Sequence, residues 1–497
     1  MNRALFRLSL ACLAMFVLLL LNVNYVQAFQ ANSLAGEPGN SRVFDQQFQY
    51  QRGSIIAVGD GSGHEVTIAG SRPVKGTNTY HRYYPSGPAY APVTGYDSIF
   101  GKTGIEGAEQ KYLAGTASSL TVHNLIGLLT GKPKQGATVN LTISAKAQQA
   151  AYQALLNEQQ QGHDAAAVAI DPRTGAILAL ASVPTFDPNK YTTLDGAKLD
   201  KIDKQYRLDP AQPLLNRAIN ATFPPGSSFK LVTSSAAFST GKVAGPNATV
   251  NAPQPFTLPN GHQLNNDNGQ ICGNGHPQVI EAFWLSCNTA FGQIGINLGG
   301  ATLRDYASRF GMNSSNLTIP MPVSPSVVPL NTDRSLSAYT AIGQLDDQLT
   351  PLQEAMDAAA IANHGKLMKP YLVQSVQAPD LSTIQSASPS VLSQAVSQQV
   401  ANEVAQMMIQ VTQNPAGTAY QTAGPPTLGN SVVIAGKTGT AENGVNNVGL
   451  NDAVFTCFAP AASPTIAVGV IVKGGGFGAD AAAPIAVQII KAYLGLH

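Results

Sequence analysis

The stretch Phe223-Pro224-Pro225-Gly226-Ser227-Ser228-Phe229-Lys230-Leu231-Val232 carries a serine and a lysine three residues apart, just after a Pro-Gly turn and at the head of an apolar run. Read as the first turn of a helix entering a core, it sets Lys230 one turn beyond Ser227 on the same face, within reach of its hydroxyl. A second stretch, Val432-Val433-Ile434-Ala435, reads as a strand and leads into Lys437-Thr438-Gly439-Thr440. If the strand continues, period-two alternation turns Thr438 and Thr440 to the same side. Gly439 then leaves room for a substrate backbone to approach as an added strand. Between the two stretches, Ser286-Cys287-Asn288 follows Phe283-Trp284-Leu285 and precedes an apolar, helix-like segment.

Serine-x-x-lysine, serine-x-asparagine and lysine-threonine-glycine together are the motif set of serine acyl transferases. Each occurs twice, so local context decides between copies. Ser239-Thr240-Gly241-Lys242 spans a glycine and trails off a helix end, which does not fix the serine–lysine distance. Ser314-Ser315-Asn316 lies among exposed polar residues, and Lys102-Thr103-Gly104 reads as a turn with no strand before it. Ser227, Lys230, Ser286, Asn288 and Lys437 therefore form the candidate catalytic set. A serine hydroxyl needs a base at neutral pH, and a desolvated, uncharged lysine serves as one. Lys230 is the candidate base, with Lys437 supplying a positive field and Ser286 relaying a proton to the leaving amine. Backbone N–H groups of Ser227 and Thr440 are the candidate oxyanion hole.

The chain has 497 residues, 44% hydrophobic and 11% charged, with 29 Lys+Arg against 28 Asp+Glu. That length allows two or three domains and the composition excludes a disordered chain. A net charge of +1 without a basic block argues against a nucleic-acid partner. The eight histidines show no paired spacing, so neither a metal nor a cofactor is expected. Gly474-Gly475-Gly476-Phe477-Gly478 reads as a turn, Asp346-Asp347 as a solvated turn and Glu106 as structural.

Residues Leu8 to Val26 form one apolar run, preceded by Arg3 and Arg7. Its length is close to the roughly 20 residues that cross a bilayer, and the flanking arginines favour an N-in orientation with the remainder outside. A cleaved signal ending at Val26-Gln27-Ala28 is the alternative. In an exported chain Cys272 and Cys287 are either a disulfide closing a short loop or two buried thiols.

Residues 30–50, with Glu37-Pro38-Gly39-Asn40, read as a stalk, and residues 50–70 as a small β-rich module. The tract Lys132-Pro133-Lys134-Gln135-Gly136 marks a boundary before the strand Val139–Ile143. A helix from Ala145 to about Asn157, strands at Ala166–Ile170, Ile177–Ala181, Ala453–Phe458 and Ile466–Val472, and a helix at Pro484–Leu494 follow. The division is an anchor over 1–29, an N-terminal pedestal module over 30–135 and a catalytic domain over 136–497.

These motifs, with Arg82-Tyr84-Pro85, Gly104-Ile105-Glu106, Gly343-Gln344 and Thr350-Pro351-Leu352-Gln353, resemble those of the class B penicillin-binding proteins, the monofunctional peptidoglycan D,D-transpeptidases, and are most similar to the actinobacterial penicillin-binding protein A type. The resemblance implies an α+β penicilloyl-serine transferase fold: an antiparallel sheet flanked by helices, a helical subdomain, and the active site between them. It implies Ser227 as acylated nucleophile, Lys230 as base, Ser286 and Asn288 as second motif, and Lys437, Thr438, Gly439 and Thr440 as the substrate-carboxylate ledge. It further implies peptidoglycan stem peptides and β-lactams as ligands, the cytoplasmic membrane as anchor site, and a polytopic glycosyltransferase of the RodA/FtsW type as a partner. Water replacing the acceptor amine would make the same constellation a D,D-carboxypeptidase. A fold kept only for binding would make a β-lactam sensor or division scaffold. Val454 stands where many relatives carry an aromatic, and Leu345 replaces a frequent glycine.

Overall fold

The computed structural model describes residues 3–30, 48–58, 65–77, 79–120, 127, 134–429, 431–442 and 451–496. The stalk tetrapeptide Glu37–Asn40 and the first residues of the Lys132–Gly136 tract lie outside them. Helix α1 (Arg3–Tyr25) runs into a π-turn at Val26–Gln30, and its apolar side chains from Leu5 to Tyr25 are exposed. Among the described residues, Leu5–Gln30 is the one helical stretch long and apolar enough to cross a membrane.

The N-terminal module is built on a six-stranded sheet in the order Thr383–Ser386, Val373–Gln377, Thr138–Leu141, Ile55–Ala57, Val66–Pro73, Tyr80–Tyr83. Thr138–Leu141 runs parallel to Ile55–Ala57 and antiparallel to Val373–Gln377. The strand expected to open the catalytic domain thus lies in a sheet that crosses the 135/136 boundary. Apolar alternation shows that a strand is buried, and it does not say which sheet buries it.

Under this sheet sits a buried charge cluster. The Glu106 carboxylate, fully buried, accepts from Arg52 Nε and Arg82 Nε, each at 2.6 Å, and from the Tyr84 hydroxyl at 3.2 Å. Asp97 receives Lys102 at 3.1 Å. The rival motif copy Lys102-Thr103-Gly104 is therefore structural, closing a two-residue hairpin with Asp97–Ser98 and opening a short helix at Gly104.

The catalytic domain starts with α2 (Ala145–Gln160), capped by Ser144, whose side-chain oxygen accepts from the Ala147 N–H. Strands β1 (Ala165–Ile170) and β2 (Ile177–Val183) follow as a hairpin. A long insertion carries α3 (Lys230–Ser239), α4 (Val279–Trp284), α5 (Asn288–Leu298), α6 (Pro351–Ala362) and α7 (Gln398–Gln413). The chain then completes the sheet with β3 (Ala435–Ala441), β4 (Asp452–Ala459) and β5 (Ile466–Val472), and ends in α8 (Ala482–Leu494). The order is β3-β4-β5-β1-β2, antiparallel throughout. Every residue of β1, β2, β4 and β5 is buried, which is why these strands read as continuous apolar runs. Helices α2 and α8 pack together on the sheet, and α6, buried on all sides, packs on β1, β4 and β5. Strand β3 begins at Ala435, so the lysine-threonine-glycine motif lies within the ladder and Val432–Ile434 precedes it. This puts the motif on the edge of the sheet.

Glu106→Ala would leave two buried guanidinium groups without their shared carboxylate, and a loss of about 3–5 kcal/mol is expected in denaturant unfolding. An unchanged midpoint would contradict the structural role assigned to the cluster.

Candidate active site

Ser227 lies in a 3₁₀ turn, Gly226–Phe229, that precedes α3, in place of the expected α-helical first turn. In a 3₁₀ turn residues i and i+3 eclipse, which still brings Ser227 and Lys230 to one side. Gly226 has φ +55°, and a Cβ there would stand 2.6 Å from Thr440 O and 3.0 Å from Thr440 N. The turn therefore presses backbone to backbone against β3, and the Ser227 and Thr440 segments face each other. Ser227 is 8% exposed and so not sealed from solvent.

Lys230 and Lys437 are both fully buried. Lys230 Nζ donates to Ser286 O and Asn288 Oδ1, each at 2.7 Å, with Ser286 Oγ at 3.3 Å. Lys437 Nζ lies 3.0 Å from the same Ser286 Oγ and 2.9 Å from Thr438 O. Among the described residues no hydrogen bond joins Ser227 Oγ to Lys230 Nζ, so the direct contact read from spacing is replaced by an amine held on the second motif. The two short bonds use both hydrogens of a neutral amine and leave its lone pair for a hydroxyl proton. Phe291 and Phe283 wall the two amines, with ring centroids 5.4 Å and 5.6 Å away.

Burial drives the Lys230 amine well below the ordinary lysine range, the charge of Lys437 adds to this, and Asp267 opposes it. Burial likewise brings Lys437 down to about 7 against the pull of Asp267. Two ammonium groups sharing one dry site are costly, and both amines are pushed toward the neutral form, Lys230 under the added charge of Lys437.

Ser286 joins α4 to α5 with φ +61°, an uncommon conformation for a side chain of this type. The next residue, Cys287, caps α5 and is bonded to Cys272, which resolves the disulfide-or-thiol alternative in favour of the disulfide. Asn288 Nδ2 donates to Asp267 Oδ1 at 3.2 Å and to Asn265 O at 3.3 Å, so its carbonyl end is turned to Lys230. The Thr438 and Thr418 hydroxyls lie 2.7 Å apart, and Thr418 N donates to Trp284 O.

Two readings are corrected. Gly439 does not open space for substrate, because a Cβ there would meet Pro225 O at 2.5 Å and Val454 Cβ at 2.9 Å. Its hydrogen admits the chain's own Ser227 turn. Asp347 is not solvated: it is 0% exposed, among the described residues neither carboxylate oxygen has a hydrogen-bond partner, and burial with Asp346 nearby drives its carboxyl well above the usual range. Only Asp346 is exposed. The other rivals are remote in character: Ser239 is the exposed last residue of α3, and Ser314-Ser315 is exposed.

Thr418, Asp267 and Glu354 touch motif residues and escaped sequence reading. Thr418 and Asp267 lie in segments without periodicity and leave no signal. Glu354 left one, since it and Asp357 are two acids within the mostly small and apolar run Pro351–Ala362.

Residues 165–491 match the family described as penicillin binding protein transpeptidase domain, and residues 52–139 match the penicillin binding protein A dimerisation domain. The peptidoglycan D,D-transpeptidase PbpA of Mycolicibacterium smegmatis is 39% identical over 99% of both chains. Its namesake in Mycobacterium tuberculosis is 38% identical over the same shares. The ceftriaxone acyl-enzyme complex of penicillin-binding protein A from M. tuberculosis superposes with a TM-score of 0.84 at 37% identity, covering 90% of this chain and 99% of that one. The chain belongs to the penicillin-binding protein transpeptidase family.

Gly226→Ala combines a positive φ with a clash against Thr440, and a destabilisation of about 1–3 kcal/mol in urea unfolding is expected. A stability equal to that of the parent would mean that the turn is not pressed on β3.

Proposed function

We propose that this penicillin-binding protein is a peptidoglycan D,D-transpeptidase that works through an acyl-serine intermediate, with the catalytic domain on the outer side of the membrane that α1 anchors. The observation that carries the reading is the Lys230 amine: fully buried, held at 2.7 Å by Ser286 O and Asn288 Oδ1, pushed by burial toward its neutral form, and one 3₁₀ turn from Ser227. The names of the relatives and the acyl-enzyme title of the superposed structure support the same reaction class.

In this reading the Ser227 hydroxyl attacks the carbonyl between the two terminal D-Ala residues of a donor stem peptide while its proton passes to Lys230. The carbonyl oxygen gathers negative charge against the Ser227 and Thr440 N–H groups. The proton then moves by way of the Ser286 hydroxyl, which bridges Lys230 and Lys437, to the leaving amine as the C–N bond breaks. D-Ala departs and Ser227 carries the acyl group as an ester. An amine of a neighbouring stem attacks that ester, a new C–N bond replaces the C–O bond, and the hydroxyl regains a proton through the same relay. Lys437, Thr438 and Thr440 hold the donor's terminal carboxylate, and the free edge of β3 offers N–H and C=O groups to its extended backbone. Gly439 takes part through its backbone alone. A β-lactam acylates the same serine because its strained amide presents the same carbonyl and carboxylate.

The N-terminal module serves in this reading as the pedestal and interaction surface, and a polytopic glycosyltransferase of the RodA/FtsW type is the proposed partner. Its match to a dimerisation domain supports a role in association.

The test uses the full-length protein in detergent, treated with fluorescent penicillin, digested and analysed by mass spectrometry. One adduct on the peptide bearing Ser227 is expected, with none in Ser227→Ala. An adduct on any other peptide would contradict the assignment. With donor and acceptor stems, cross-linked dimer is expected to exceed hydrolysed donor, and the reverse ratio would make the enzyme a D,D-carboxypeptidase.

A further inference from the structure

Glu354 is a carboxyl group in the middle of the catalytic domain, on the wholly buried helix α6 and itself 1% exposed. Its Oε1 lies 2.9 Å from Ser228 Oγ, and that same Oγ lies 2.9 Å from Pro225 O. A hydroxyl has one hydrogen, and a carbonyl can only accept. If the Ser228 hydrogen goes to Pro225, the remaining contact needs a hydrogen on Glu354. Burial independently favours that state, pushing the Glu354 carboxyl up to about 8. The backbone oxygen of Glu354 accepts from the Thr456 hydroxyl on β4, so the helix is tied to the sheet at this residue.

We infer that Glu354 is a positioning residue for Ser227: as a carboxylic acid it donates to Ser228 Oγ, which donates to the Pro225 carbonyl and clamps the Pro225–Ser228 turn against β3. This rests on Ser227 being the nucleophile. The clamp acts on the atoms that crowd Gly439, where a Cβ would meet Pro225 O at 2.5 Å and Ser228 N at 3.3 Å. The turn so fixed also carries Ser227, next to Gly226 where the chain presses on Thr440. On ionisation the carboxylate takes the Ser228 hydrogen for itself, and the Pro225 carbonyl loses its side-chain partner.

The groups meeting Glu354 from neighbouring elements are Ser228 from the turn, Thr456 from β4 and Gly469 from β5. Asp357, one turn further along α6, is the nearest acid on its own helix and is held by Gln353 Nε2 at 2.7 Å. Asp357 is itself pushed well up by burial and by Glu354, so it adds no opposing charge when protonated. The elements packed on α6 also carry Arg217, Lys366, Glu403, Asp452 and Cys457, yet burial and the Ser228 contact alone set the state of Glu354. An acid held above its usual range is intact below that value and is lost as pH rises through it. The clamp is therefore closed at neutral pH and opens on the alkaline side.

The test measures the acylation rate of the full-length protein by fluorescent penicillin from pH 6 to 10, with melting temperature and labelled peptide recorded in parallel. The parent is expected to lose rate above about pH 8 as the acid ionises. Glu354→Gln, whose amide still donates to Ser228, is expected to keep the neutral rate within about threefold and to lose clearly less rate than the parent above pH 8, with only the part due to Lys437, brought down to about 7, common to both. Superimposable profiles would overturn the inference. Should Glu354→Gln fold poorly, Ser228→Ala removes the middle hydroxyl instead: a decline above pH 8 smaller than the parent's supports the clamp, and an equal decline overturns it. Label on a peptide without Ser227 defeats the functional reading, whereas label on Ser227 with unchanged profiles defeats the clamp alone.

Discussion

One hydroxyl, that of Ser286, lies between two buried amines, and the constraint this sets is electrostatic. Two ammonium ions in so dry a site would repel each other while each lost its hydration, so one must give up its proton. Lys230 is the one driven furthest from its ordinary range, by burial first and by the charge of Lys437 second, while Asp267 opposes the shift on both amines. The rest of the site serves this arrangement. Phe283 and Phe291 exclude water, Asn288 turns its carbonyl end to the amine, and the Cys272–Cys287 disulfide anchors the segment next to the strained Ser286.

A second requirement is that chain segments distant in sequence meet backbone to backbone. Gly226 and Gly439 make this possible, each lacking the Cβ that would strike the other's segment. The Ser227 turn thereby becomes part of the wall formed by β3, and motion of the strand would move the serine. Farther out, the six-stranded sheet joins residues 55–83, 138–141 and 373–386, so the N-terminal module is laddered to an excursion of the catalytic domain. The N-terminal module is held within itself by Glu106 and its two arginines.

Much of this was readable from the chain. The buried strands announced themselves as unbroken apolar runs, and the choice between motif copies followed from what surrounds them, as with Lys102 and Ser239. What stayed hidden has a common physical cause. Periodicity reports that a face is buried but not by what, so the strand expected to open the catalytic domain ladders instead with the N-terminal module, and the space at Gly439 expected for substrate is taken by Pro225. Charge is assumed to seek water, which is why Asp347 read as solvated and Glu354 went unnoticed. The positive φ of Ser286 has no sequence signature because serine rarely adopts it.

The central claim is that Lys230 is an uncharged amine at neutral pH. Full-length protein labelled with ¹³C at lysine Cε, with the Lys230 resonance assigned by its loss in Lys230→Arg, allows its titration to be followed directly by NMR. The account predicts a signal already in the neutral-amine position at pH 7, moving toward the ammonium position as the pH is lowered. A signal that stays in the ammonium position until pH 10 would contradict it.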